Sequence, residues 1–166
     1  FREKIIAKGF DPDELVKKFA DITVEAVANK PEDMAVTIHI CRGNFKSSWL
    51  YQGNYEPIAE ELFSRVNVDG FFLEFDDERA GDFSPLRFIQ KQKVILGLVT
   101  SKTAELEDPA ELKRRIEEAT QYVPIDQLCI SPQCGFASTE EGNTVSEQDQ
   151  WNKLRLVVET AKEIWG

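Results

Sequence analysis

Two apolar patterns take turns along the chain. One has the spacing of a helix face; the other is a short unbroken run, typical of a strand buried on both sides. Ile5-Ile6-Ala7-Lys8-Gly9 reads as a helix fragment closed by glycine. Asp11-Pro12-Asp13-Glu14 then opens a helix, with Asp11 as N-cap and Pro12 at the first helical position. Leu15, Phe19, Ile22 and Ala26 recur at helical spacing, with Val27 beside them, and predict its buried face. After the polar break Lys30-Pro31-Glu32-Asp33, the pattern predicts a strand over 35–40. A long loop over 41–55 carries the aromatic stretch Trp49-Leu50-Tyr51. A helix from Glu56-Pro57 to Phe63 or Val66 follows, then a strand over 70–75, a charged loop and a short helix over 85–90. The third strand is predicted over 93–99. A second Asp-Pro start, Asp108-Pro109-Ala110-Glu111, opens a helix with Leu112, Ile116 and Ala119 on one face. The fourth strand is predicted over 127–131, a polar loop over 138–144, and a last helix capped by Ser146. The order is one helix, then β-α four times. That order predicts an α/β fold with four parallel strands and outer helices.

In such sheets chemistry gathers at the carboxyl ends of the strands. Ala35-Val36-Thr37-Ile38-His39-Ile40-Cys41 brings the sole histidine and a cysteine to the first of these ends. Side chains alternate along a strand, so His39 and Cys41 share one side. Gly70-Phe71-Phe72-Leu73-Glu74 places a carboxylate near the end of the second strand, and Ser131-Pro132-Gln133-Cys134-Gly135-Phe136 places a cysteine after the fourth. One nitrogen, two sulfurs and one carboxylate suit zinc and suit magnesium or calcium poorly. Taken singly, each residue has an ordinary explanation: a buried cysteine, a structural histidine, a solvated loop glutamate. The weight lies in their joint placement. Cys129, inside the fourth strand, reads as core.

Length and charge narrow the setting. A chain of 166 residues is one domain's worth, long enough for a core. The net charge of −10 argues against nucleic acid and against anionic membrane, since both favour basic surfaces. No apolar run is long enough to cross a bilayer, and no signal peptide is visible. Three cysteines make no disulfide framework, so a cytoplasmic, reducing location is expected.

His39-Ile40-Cys41, then Glu74 at the end of an apolar strand, then Ser131-Pro132-Gln133-Cys134-Gly135-Phe136 resemble the cobalamin-independent methionine synthase family. The likeness is greatest to its short bacterial branch of methyltetrahydropteroyltriglutamate–homocysteine methyltransferase-like proteins. The resemblance implies a TIM (β/α)8 barrel, of which this chain would be the second half, a single C-terminal domain belonging to a longer protein. It implies that His39, Cys41, Glu74 and Cys134 bind Zn2+. It also implies that a homocysteine-like thiol accepts a methyl group from a methyl-folate. Two departures follow. The family carries Asp-Ile-His-Ser after the third strand counted here, and its histidine is the expected proton donor. Here the stretch is Gly97-Leu98-Val99-Thr100-Ser101-Lys102-Thr103, with Lys102 in the histidine's place. No catalytic acid is therefore assigned, and a corrinoid or other methyl donor stays open beside folate. Four β-α units would also leave two sheet edges free, which predicts either a missing half or self-association, and a catalytically inert fragment is a third reading.

Overall fold

The computed structural model describes residues 2–137 and 139–166. Phe1, and Ser138 at the head of the expected 138–144 loop, lie outside the described residues. The elements run α1 (Arg2–Ala7), α2 (Pro12–Val27), β1 (Thr37–Ile40), α3 (Glu56–Phe63), β2 (Gly70–Glu74), β3 (Lys93–Val99), α4 (Pro109–Ala119), β4 (Leu128–Pro132) and α5 (Glu147–Trp165). The strands lie side by side in chain order, all parallel. Four parallel strands with outer helices are what the alternation predicts, and they match half of the (β/α)8 barrel that the resemblance implies.

Capping follows the expected residues. The Asp11 carboxylate accepts from the backbone N–H groups of Asp13 and Glu14, and Asp108 accepts from that of Ala110. Ser146 and Asp149 form a reciprocal capping box at the start of α5.

Alternation along β2 sets the layers. Phe71, Leu73 and Phe75 point out toward the helices, whereas Phe72 and Glu74 point to the inner face. The outer layer is built on aromatic contacts. Phe71 meets Phe63 of α3 at 5.0 Å, and Phe75 meets Tyr55 at 5.3 Å and Phe83 at 4.7 Å. Leu112, Ile116 and Ala119 of α4 are buried together, on the predicted face.

Three expectations need correction. On α2, Phe19 and Ile22 are 64% and 52% exposed, and the face turned inward is Pro12, Val16, Ala20, Val24 and Val27. Both stripes have helical spacing, and only packing against α3 decides between them. The strands were expected to be buried on both faces. The outer face is buried on β2 and β3 and half-buried at Ile38, Ile40 and Ile130 on the two edge strands, whereas on the inner face His39, Phe72, Cys129 and Ser131 keep some exposure, because four strands cannot close over it. Cys129 therefore stands on the opposite side of β4 from the core residue Leu128 and its neighbour Ile130.

The rim opposite the strands' carboxyl ends is fastened by polar contacts. Asp69 Oδ2 accepts from Val36 N at 2.7 Å and from Lys30 Nζ at 3.0 Å, joining the approach to β1 with the start of β2. Near the carboxyl rim, Lys153 of α5 is fully buried against Glu107, whose Oε1 lies 3.0 Å away. The same Oε1 accepts from Thr100 N at 2.8 Å, so the loop after β3 is tied to the last helix.

Gly97 lets β3 and the β4 loop approach. A Cβ there would lie 2.7 Å from Gln133 Cα and 2.9 Å from the Leu73 carbonyl oxygen, both backbone atoms. Gly97→Ala is expected to destabilise the fold by about 1–3 kcal/mol through overpacking, read by urea unfolding. A midpoint equal to wild type would show that the sheet can open there at no cost.

Candidate metal centre

His39 lies within β1, Cys41 directly after its last residue, and Glu74 at the last residue of β2. Cys134 follows β4 by two residues. The parallel register brings these ends to one rim. One ligand atom from each of the four side chains lies within 4.8 Å of the others. His39 Nε2 is 3.5 Å from Glu74 Oε1, and the sulfurs of Cys41 and Cys134 are 3.9 Å apart. Donors bound tetrahedrally at about 2.0–2.3 Å stand about 3.3–3.8 Å from one another. The His39–Glu74 and Cys41–Cys134 separations fall near that range, within a cluster spanning up to 4.8 Å, and the donor set of nitrogen, two sulfurs and oxygen suits zinc.

The carboxylate of Glu74 has no solvent exposure. Its Oε1 accepts from Arg42 N at 3.1 Å. Its Oε2 faces the Gln133 side chain. The amide orientation that satisfies every neighbour places the Gln133 nitrogen 2.9 Å from Oε2. The Gln133 oxygen then accepts from Ser101 Oγ at 2.7 Å and from Lys102 Nζ at 3.1 Å. Lys102 Nζ also donates to Asn44 Oδ1 at 2.8 Å and to the Gly43 carbonyl at 3.2 Å. All three ammonium protons are thereby engaged. Asn44 in turn donates to the Gly135 carbonyl at 2.6 Å and toward the Cys134 sulfur. Below the carboxylate, the Tyr55 hydroxyl accepts from Glu74 N at 2.8 Å, and the Arg42 guanidinium lies over the Tyr55 ring, 4.3 Å from its centroid. Gly43 has φ +97° and a Cβ there would meet Leu50 at 2.8 Å, so only glycine makes this turn easily. Its N–H donates to Cys41 Sγ at 3.3 Å.

The anionic groups polarise one another. Hydrogen bonds to Cys134 and then to Glu74 push the His39 imidazole up to about 10. The same contact with His39 pulls the Cys134 thiol below its ordinary value, while burial pushes that of Cys41 up. Burial lowers Lys102, against the opposing pull of Cys134 and Glu74. A cluster that draws a proton onto its imidazole has the field to hold a cation.

Beside the cluster opens a cleft of about 390 Å3, lined by His39 and Cys134 together with Phe72, Pro132, Phe136 and Leu154. A second, of about 290 Å3, is bordered by Trp49, Asp76, Arg79, Thr100 and Lys102. In the charged loop after β2, Asp76 pairs with Arg79 at 2.9 Å, and both side chains are buried. Trp49, Leu50 and Tyr51 are exposed, with the Arg79 guanidinium 5.1 Å from the Trp49 ring centroid.

Comparison with known proteins fixes the family. The family model described as "Cobalamin-independent synthase, Catalytic domain" matches residues 2–163. The chain belongs to the cobalamin-independent methionine synthase family. It is 55% identical over 165 residues to the uncharacterized protein YxjG of Bacillus subtilis, covering 98% of this chain and 44% of that one. It is 25% identical over 124 residues to a methionine synthase of Thermococcus kodakarensis, covering 71% and 37% of the two chains. A crystal structure of a proposed vitamin-B12-independent methionine synthase from Listeria monocytogenes superposes with TM-score 0.75 at 47% identity, covering 95% of this chain and 43% of that one. A B12-independent methionine synthase from Shewanella sp. W3-18-1, solved with selenomethionine, shares the fold at TM-score 0.67 and 21% identity, covering 90% and 46%. The chain thus spans about 44% of the Bacillus relatives' length.

For a member of this methionine synthase family, four residues around the cluster were not legible beforehand. Arg42, Tyr55, Gln133 and Asn44 are ordinary loop and turn residues until the fold closes, and no spacing rule marks them. Only the neighbourhood of Gln133 to Cys134 could have flagged one. Tyr55→Phe removes the partner of the buried Glu74 N–H and is expected to cost about 1–3 kcal/mol in chemical unfolding. Unchanged stability would mean that the N–H finds another acceptor.

Proposed function

We propose that this chain is the second half of the catalytic barrel of a thiol methyltransferase, in which His39, Cys41, Glu74 and Cys134 hold a zinc ion. The observation that carries this reading is the meeting of the four side chains at one rim, their ligand atoms within 4.8 Å. Zinc in this position would keep an acceptor sulfur such as that of homocysteine as the thiolate at neutral pH. The protein's own residues do the rest. The cleft lined by Phe72, Pro132 and Leu154 offers apolar walls for the acceptor's carbon chain. Two thiolates and a carboxylate would bring three negative charges to the ion, and Glu74 would be the hardest of the four donors. Arg42 N and the Gln133 amide pair the two oxygens of that carboxylate and hold it in place. In the transfer a carbon–sulfur bond forms, the bond from methyl carbon to the donor atom breaks, and the electron pair stays on the donor. A methyl-folate nitrogen would then need a proton.

Folate is the donor the family favours. A corrinoid donor is supported by one observation of this chain: Lys102 occupies the expected acid's position with its three protons already engaged. A corrinoid leaving group needs no protonation at nitrogen. The location proposed is cytoplasmic, consistent with free thiols at Cys41, Cys129 and Cys134. Among the described residues no helix is long and apolar enough to cross a membrane. The open edges at β1 and β4 would be covered by the first half of the barrel or by a second copy.

Metal analysis after zinc-replete purification is expected to give about one zinc per chain. Cys134→Ser should lose most of it while keeping its circular dichroism, and Cys129→Ser should keep both. Wild type without zinc, or a Cys134→Ser variant as fully loaded, would overturn the assignment. Assaying the longer parent protein with methyltetrahydrofolate and with methylcobalamin separates the two donors.

A further inference from the structure

Lys102 is a buried cation held by three neutral oxygens: Asn44 Oδ1, the Gly43 carbonyl and the Gln133 amide oxygen. Those partners come from two different loops, one after β1 and one after β4, while Lys102 itself follows β3. Two of the three are carbonyl ends of side-chain amides. An amide is a two-ended group, and whatever fixes its oxygen also fixes where its NH2 points. The NH2 of Gln133 points at Glu74 Oε2, 2.9 Å away. The NH2 of Asn44 points toward Cys134 and the Gly135 carbonyl. If either amide turned over, an oxygen would face the buried Glu74 carboxylate or the Cys134 sulfur, a repulsive contact.

We infer that Lys102 is a positioning residue, which by taking the oxygen ends of Asn44 and Gln133 turns their NH2 ends onto two residues of the metal cluster. It also clamps the loop bearing Cys41 to the loop bearing Cys134, through Gly43 and Gln133 respectively. Charge supports the same role. Two thiolates, one carboxylate and a divalent cation leave one negative charge, which a single ammonium balances. The negative groups that act on Lys102 most strongly are those of Cys134 and Glu74. Ser101 assists from the same loop: it is fully buried, and its hydroxyl donates to the same Gln133 oxygen at 2.7 Å. The Lys153–Glu107–Thr100 tie holds that loop in place from behind. Lys102 thus acts on the metal ligands through two amides and has no proton to spare for a substrate.

This inference rests on the cluster binding zinc, and the test separates the two. Zinc affinity is measured by competition with a chromophoric chelator, and the site is filled with cobalt(II) to read its thiolate charge-transfer and d–d bands. Lys102→Met is expected to weaken zinc binding about 10–100-fold, as loss of groups that orient metal ligands does, and to shift the cobalt bands. A double-mutant cycle with Gln133→Leu adds a readout that general destabilisation would not mimic. Once the amide is gone, Lys102→Met should cost less than it does in wild type. Lys102→Arg keeps the charge but not the three-point geometry; it should move the cobalt bands too, and it carries the test if the methionine variant fails to fold. Wild-type protein that binds no zinc would defeat the metal-site reading itself. Wild type that binds zinc, with unaltered affinity and cobalt spectra in the folded Lys102 variants, would overturn only the positioning role.

Discussion

A carboxylate sealed from solvent organises this rim. Taking an ionised group out of water costs several kcal/mol unless charges and donors surround it. Glu74 is placed in that position by its own strand: Phe71, Leu73 and Phe75 must face the helices, so Glu74 must face the other way. The neighbouring loops answer that demand. Arg42 N meets one oxygen, Gln133 meets the other, and His39 stands beside the first. The contacts of Arg42 and Gln133 each draw in a loop that also carries a cysteine, so solvating one buried anion and gathering four ligand atoms are a single structural event. The raised imidazole of His39 follows from the same gathering, through its contacts with Cys134 and then Glu74.

How much of this could be read beforehand depended on whether the deciding interaction was local. Helix starts at Asp11, Asp108 and Ser146 were legible because a cap is a contact across two or three residues. The convergence of His39, Cys41, Glu74 and Cys134 was legible because parallel strands align their ends and alternation fixes the side. The face of α2 was not, since Leu15-Phe19-Ile22 and Val16-Ala20-Val24 are equally good stripes and the choice is made by α3. Cys129 misled for a related reason: an unbroken apolar strand does not announce which of its residues lies under a helix. The buried pairing of Asp76 with Arg79 was not marked either, because it exists only once the turn has formed. The amides of Asn44 and Gln133 were beyond reach, as their roles arise between loops far apart in the chain.

The chain also shows what half of a closed sheet can and cannot do alone. The outer layer is complete, with an aromatic core and helices across it. The inner face and the two outer strands are unfinished, and strands with open edges seek further strands. Because neighbours in space are also neighbours in sequence, four more strands could continue the curl from either side without any connection crossing another.

The sheet keeps its two ends for different duties. At one, Asp69 bolts the approach to β1 onto β2 through Val36 and Lys30. At the other, loops of varied length bring together sulfur, imidazole and carboxylate. With anchorage and chemistry so divided, the reactive end can be rewritten over generations, loop by loop, while the anchoring end goes on holding the strands in register.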